Sequence, residues 1–194
     1  KASNTGAGDE FGAHVSISGD TLIAGALFED SNAVGINGDE VNNLNTDSGA
    51  AYVFTRTAGV WSQQAYLKAS NTGAVDYFGS SVAINGENIV VGAPGEDSKP
   101  TVAGGNQNDN SRPSNGAVYV FHYANNQWQQ VSFLKTPRIS GPDPIWGGED
   151  NYDGDNFGSY VTIFGDTISV TAYLGFDGFN EHYTFSFQNS APFW

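Results

Sequence analysis

Between residues 13 and 18 apolar and polar side chains alternate, with Val15 and Ile17 on one face and His14, Ser16 and Ser18 on the other. A period of two predicts a half-buried strand. Ser18-Gly19-Asp20 reads as a tight turn, and residues 21–26 then run apolar without a break, as a strand buried on both faces would. A polar loop of about 20 residues follows, then a third strand around Tyr52-Val53-Phe54, a short turn at Ala58-Gly59 and a fourth strand over 61–67. No segment carries a 3.6-residue apolar stripe, so little helix is predicted. Val15, Ile17, Leu22, Ile23, Tyr52 and Phe54 are the expected core of this unit.

The unit recurs. Lys1-Ala2-Ser3-Asn4-Thr5-Gly6-Ala7 returns letter for letter as Lys68-Ala69-Ser70-Asn71-Thr72-Gly73-Ala74, an offset of 67 residues. The same offset carries Phe11-Gly12 onto Phe78-Gly79, Gly25-Ala26 onto Gly92-Ala93, Glu29-Asp30-Ser31 onto Glu96-Asp97-Ser98, Tyr52-Val53-Phe54 onto Tyr119-Val120-Phe121, and Trp61 onto Trp128. A degraded third copy opens at Lys135 and reaches Phe157-Gly158 late, because about 12 residues around 142–153 are inserted. The chain therefore divides into units 1–67, 68–134 and 135–194, the last with an acidic insertion and no outer strand.

Four antiparallel strands repeated in tandem predict an all-β fold built as β-propeller blades. A solenoid coil is usually far shorter than 67 residues, and a sandwich has no reason to repeat its sequence. About three blades are present, whereas a closed propeller needs at least about four. The expected assembly is therefore incomplete, or completed by other chains or by further blades of a larger parent. Strand edges and outermost sheet faces left open would be prone to association. Phe176, Phe179, Phe193 and Trp194 are the residues expected to be buried in such contacts.

Phe78-Gly79 with Gly92-Ala93-Pro94, Phe11-Gly12 with Gly25-Ala26-Leu27, and Phe157-Gly158 with Thr171-Ala172-Tyr173 give the chain its resemblance to the FG-GAP repeat family, the blade unit of integrin α-chain heads and many bacterial surface proteins. The glycines permit close backbone approach or positive φ, and the Phe plugs the space between neighbouring sheets. The resemblance implies a propeller of about seven blades, an extracellular location, adhesion or ligand binding, and frequently calcium. In integrin-like blades an Asp-rich calcium loop lies between the two motifs; here that connection is only a short turn.

Oxygen ligands for calcium are sought elsewhere. Glu149-Asp150-Asn151-Tyr152-Asp153-Gly154-Asp155 sets oxygens at alternate positions, so Glu149, Asn151, Asp153 and Asp155 are the candidate ligands. The plain alternative is a solvated, turn-forming insertion. Glu29-Asp30 and Glu96-Asp97 read either as metal ligands or as acceptors that organise the long loops. His14, His122 and His182 fall in no nucleophile or metal-ligand spacing, so no catalytic residue is assigned. Trp61, Trp128, Tyr52 and Tyr119 recur at equivalent places and read as packing, whereas Trp146 in the insertion, with Phe193 and Trp194, is the candidate contact with a protein or glycan ligand or partner.

Composition narrows the classes. Seven Lys and Arg against 21 Asp and Glu give a net charge of -14, the wrong sign for nucleic acid or anionic membrane. Zero Cys excludes disulfides and thiolate chemistry, and no apolar run is long enough to span a bilayer. No leader follows Lys1, so any export signal is expected to have been removed or to lie outside this sequence. Three classes remain: a non-enzymatic extracellular adhesion or ligand-binding module, a self-assembling structural subunit of a surface layer or filament, and an accessory part of a secreted polysaccharide-acting enzyme.

Overall fold

A computed structural model describes residues 1–99, 106–136, 154–173 and 180–186. Among them there is no helix, and eleven strands form three antiparallel sheets. Blade one contains β1 (Val15–Ser18), β2 (Thr21–Ala26), β3 (Ala50–Thr57) and β4 (Val60–Leu67) in that spatial order. Blade two repeats it with β5 (Ser81–Asn85), β6 (Asn88–Ala93), β7 (Ala117–Ala124) and β8 (Gln127–Leu134). Blade three has β9 (Tyr160–Phe164), β10 (Thr167–Tyr173) and β11 (Asn180–Ser186).

The tight turns have chemical causes. Gly19, Gly86 and Gly165 take positive φ between the first two strands of each blade, and Ala58-Gly59 and Asn125-Asn126 do so between the last two. Positive φ at both central residues matches the twist of a hairpin, which is why Gly and Asn crowd there. A bulge in each outer strand, opposite Val53/Phe54 and Val120/Phe121, inserts one unpaired residue.

The blades stack face to face, and each shared layer is a core. Ile23, Val53 and Leu67 on the back of blade one meet Val82, Ile84, Ile89 and Phe121 on the front of blade two. Val90, Val118 and Val120 on the back of blade two meet Val161, Ile168 and Val170 on the front of blade three. The Phe-Gly pair locks each junction. Phe78 N–H donates to Ser48 O (3.0 Å) and Phe157 N–H to Asn115 O (3.1 Å), each the start of a parallel bridge to the blade before. Gly79 and Gly158 adopt positive φ there. A Cβ on Gly92 would stand 2.0 Å from Gly158 O, so this second-strand position must be glycine for the next blade to seat.

Burial corrects one expectation. Ile23 and Tyr52 are fully buried, but Leu22 and Phe54 are half-buried, and Val15 and Ile17 are 61% and 59% exposed. Their counterparts Val82 and Ile84 are 8% and 6% exposed. The alternation does mark a strand, yet the apolar face it marks is the front, which only a preceding blade covers. Blades two and three have one; blade one does not among the described residues.

Candidate functional site: the junction of blades one and two

Each long loop is organised around a buried ion pair. Glu29, three residues past β2, turns inward and accepts from Lys68 Nζ (3.0 Å), from Asn4 Nδ2 (2.9 Å) and from Ser31 N–H (3.2 Å). Lys68 also donates to Ser48 Oγ (2.7 Å), and Tyr52 OH donates to Asn4 Oδ1 (2.7 Å). Blade two repeats the set: Glu96 accepts from Lys135 Nζ (2.6 Å), Asn71 Nδ2 (2.8 Å) and Ser98 Oγ (2.9 Å), and Tyr119 OH donates to Asn71 Oδ1. Burial pushes both ammonium pKa values down and the neighbouring glutamates push them back up, while the phenols of Tyr52 and Tyr119 are raised by desolvation.

Asp30 and Asp97 close the same loops, accepting from Asp47 N–H and Ser114 N–H at 2.8 Å. The loop-organising alternative for Glu29-Asp30 and Glu96-Asp97 is what the geometry displays. The partners Lys68 and Lys135 are not among the residues that motif and spacing mark as candidates. The signal was present, since each copy of the repeat opens with Lys.

Beside this frame, blades one and two enclose a cleft of about 290 Å³ lined by Ile36, Asn37, Gln64, Tyr123, Asn126 and Trp128. The loop residues arrive because Ile36 bridges Leu67 at the edge of β4, with Asn37 N–H donating to Tyr66 O (2.8 Å) and Asn37 Oδ1 accepting from Tyr66 N–H (2.9 Å). Gln64 is the unpaired bulge residue of β4 and reaches blade two: its Oε1 accepts from Trp128 Nε1 (2.9 Å) and its Nε2 donates to Tyr123 OH (3.2 Å). The Tyr123 and Trp128 rings lie 5.1 Å apart, tilted by 50°. Apart from the Tyr123 phenol the lining carries no ionisable group, in a chain of net charge -14. It offers the part-exposed Tyr123 ring, an edge of Trp128 and side-chain amides, a group that can both donate and accept.

The repeat predicts Trp128 as packing, and it does pack, but its edge also builds the cleft. On blade one the equivalent place differs: Arg56 takes the position of Tyr123, lies 5.3 Å over Trp61 and pairs with Asp20 at 2.7 Å.

Glu149, Asn151, Asp153, Trp146, Phe193 and Trp194, with Phe176 and Phe179, lie outside the described residues. Asp155 is described; its Oδ2 accepts from Asn115 Nδ2 (3.3 Å), and it stands where blade two has Asp76, which caps a turn by accepting from Gly73 N–H (2.7 Å). Desolvation raises the Asp76 pKa to about 7. Among the described residues no three acidic or imidazole side chains group as a metal site, and each connection from first to second strand is a two-residue turn. The histidines are dispersed: His122 Nδ1 lies 2.9 Å from Asn88 Oδ1, His182 Nδ1 3.0 Å from Thr171 Oγ1, and His14 packs edge-on against Tyr160.

No curated protein matches the chain significantly. A family model does, over residues 1–54 and 61–121, which leaves out only residues 55–60 of the first repeat and reaches into β7 of the second. With the Phe-Gly pairs seated on glycine in the fold as they recur in the sequence, the chain belongs to the FG-GAP repeat family.

Proposed function

We propose that the chain is a non-enzymatic ligand-binding module of an extracellular or cell-surface protein, and that the cleft between blades one and two takes a neutral, hydroxyl-rich ligand of the glycan class. The observation that carries this reading is the Gln64–Trp128–Tyr123 constellation. A neutral polar ligand gains from aromatic faces on its C–H surfaces and from amides on its hydroxyls, and it meets no unpaired charge. An acidic protein surface repels anionic ligands in general, and a cleft without carboxylates or cations gives no foothold to charged ones. The family's usual setting on secreted and surface proteins supports the location. Among the described residues no helix is long and apolar enough to cross a membrane.

The test is binding of neutral oligosaccharides by calorimetry or an immobilised glycan panel, with Gln64→Ala and Asn126→Ala as probes. Loss of binding in both variants, with melting temperatures close to wild type, supports the cleft. Binding that survives both substitutions moves the ligand elsewhere.

A further inference from the structure

In the cleft between blades one and two the amide acceptors are occupied and the donors are free. Gln64 Oε1 accepts from Trp128 Nε1 (2.9 Å), and Asn37 Oδ1 accepts from Tyr66 N–H (2.9 Å). Gln64 Nε2 gives one of its two N–H groups to Tyr123 OH (3.2 Å), which leaves the other to donate. The phenol oxygen accepts in that bond, so its own proton is also left over. Asn37 Nδ2 has no partner among the described residues. Three lining side chains therefore each present a donor.

The two amides cannot exchange their ends. An indole N–H and a backbone N–H only donate, so turning Gln64 or Asn37 over would set an NH2 group against another donor. Nor does blade packing require this arrangement. The unpaired bulge residue of β8, which repeats the place of Gln64, is Val131, a side chain that neither donates nor accepts. Arg56 in turn stands in blade one where blade two has Tyr123.

The pattern selects among neutral groups. A sugar hydroxyl can accept from one of these donors, but its own proton must then find an acceptor, and the oxygens of Gln64 and Asn37 already hold protein donors. A carbonyl oxygen has two lone pairs and no proton, so it takes two of the donors and leaves nothing unpaired. At the exposed rim the side-chain amides of Asn126 and Gln127 have no partner among the described residues, and their oxygens can accept an N–H. Ile36 and Ala65 add aliphatic surface on which a methyl group is buried at a gain. A carbonyl, an N–H and a methyl group without charge are together an acetamido group.

We infer that, on the reading that the cleft takes a neutral glycan, its ligand is an N-acetylated sugar whose acetamido carbonyl accepts from the free donors of Asn37, Gln64 and Tyr123. These side chains set the preference for the acetamido sugar over the same sugar carrying a hydroxyl.

The test titrates the full chain by calorimetry with matched pairs of neutral oligosaccharides that share length and linkage and differ only at the second carbon. Glucose chains are set against N-acetylglucosamine chains, and galactose chains against N-acetylgalactosamine chains. In at least one pair the acetamido member should bind on the order of tenfold more tightly, the effect of satisfying a donor that the hydroxyl member cannot. Gln64→Glu keeps the oxygen that Trp128 needs and replaces the donor end with an acceptor, Asn37→Asp does the same against Tyr66, and Tyr123→Phe removes the phenol proton. Each should bring the ratio of the two affinities toward one, a readout that loss of folded protein does not move because both members lose alike. Equal binding of the two members by the wild type, or tighter binding of the hydroxyl member, overturns this inference and leaves the glycan reading standing. Binding of no member overturns the glycan reading itself. A ratio that survives all three substitutions, or an equal loss of both members in each variant, overturns the assignment of the preference to these donors.

Discussion

Gly25 and Gly79 meet backbone to backbone across the first junction, where a Cβ on Gly25 would stand 2.0 Å from the Gly79 carbonyl oxygen. Neither atom belongs to a flexible side chain, so the clash can be relieved only by separating the sheets. Gly25→Ala and Gly92→Ala should each destabilise the fold by about 1–3 kcal/mol or more, as overpacking does. Ala24→Gly, one residue away, should cost less. Urea unfolding monitored by circular dichroism separates the two outcomes.

Removing one member of the Lys68–Glu29 pair leaves the other charge buried. Lys68→Met should therefore cost about 3–5 kcal/mol, whereas Lys68→Met combined with Glu29→Leu should recover much of the loss. A double-mutant cycle in urea reads the coupling, and a cycle that closes additively would mean that the pair does not act as a unit.

Asp76 gives stability a pH dependence of defined sign. Its carboxyl titrates near 7 in the fold because burial raises it, against an ordinary value near 3.8. The folded state therefore holds a proton that the unfolded chain releases between these values. The contribution is fully present below about pH 4 and is lost as pH rises through 7. Asp76→Asn keeps an acceptor for Gly73 N–H and removes the titration, so the stability difference between variant and wild type should grow from pH 4 to 7, by a few kcal/mol at most. Parallel stability curves for the two proteins would contradict this assignment.

The two repeated tryptophans should differ in solution although they hold the same position in their repeats. Trp61 is 39% exposed and Trp128 is 7% exposed. In variants that keep one tryptophan each, acrylamide should quench Trp61 readily and Trp128 weakly, with bluer emission from Trp128.

Much of this fold was legible because a repeat tests itself. Residues 21–26 and 88–93 were read as strands, and β2 and β6 have those bounds. Phe78 was read as a plug, and it lies fully buried at the junction. What the pattern could not carry was the identity of the covering surface: Val15 and Ile17 declare an apolar face without saying which neighbour hides it. The Lys68–Glu29 pair was opaque for a related reason, since 39 residues separate its members. The cleft was harder still. Gln64 enters it only because a bulge in β4 shifts the register, and no period in the sequence marks a bulge.

The position of Lys68 also bears on the order in which the protein is made. Blade one ends its last strand at Leu67, but its buried glutamate is neutralised by the next residue, and its back face is plugged by Phe78. A nascent chain halted at residue 67 would thus carry four paired strands with a desolvated carboxylate and an open layer. On the ribosome, where domains tend to fold as they emerge, completion of each blade must trail its own strands by about a dozen residues, the stretch from Lys68 to Gly79. Translation would then proceed with one unfinished sheet always waiting for the opening of the next repeat.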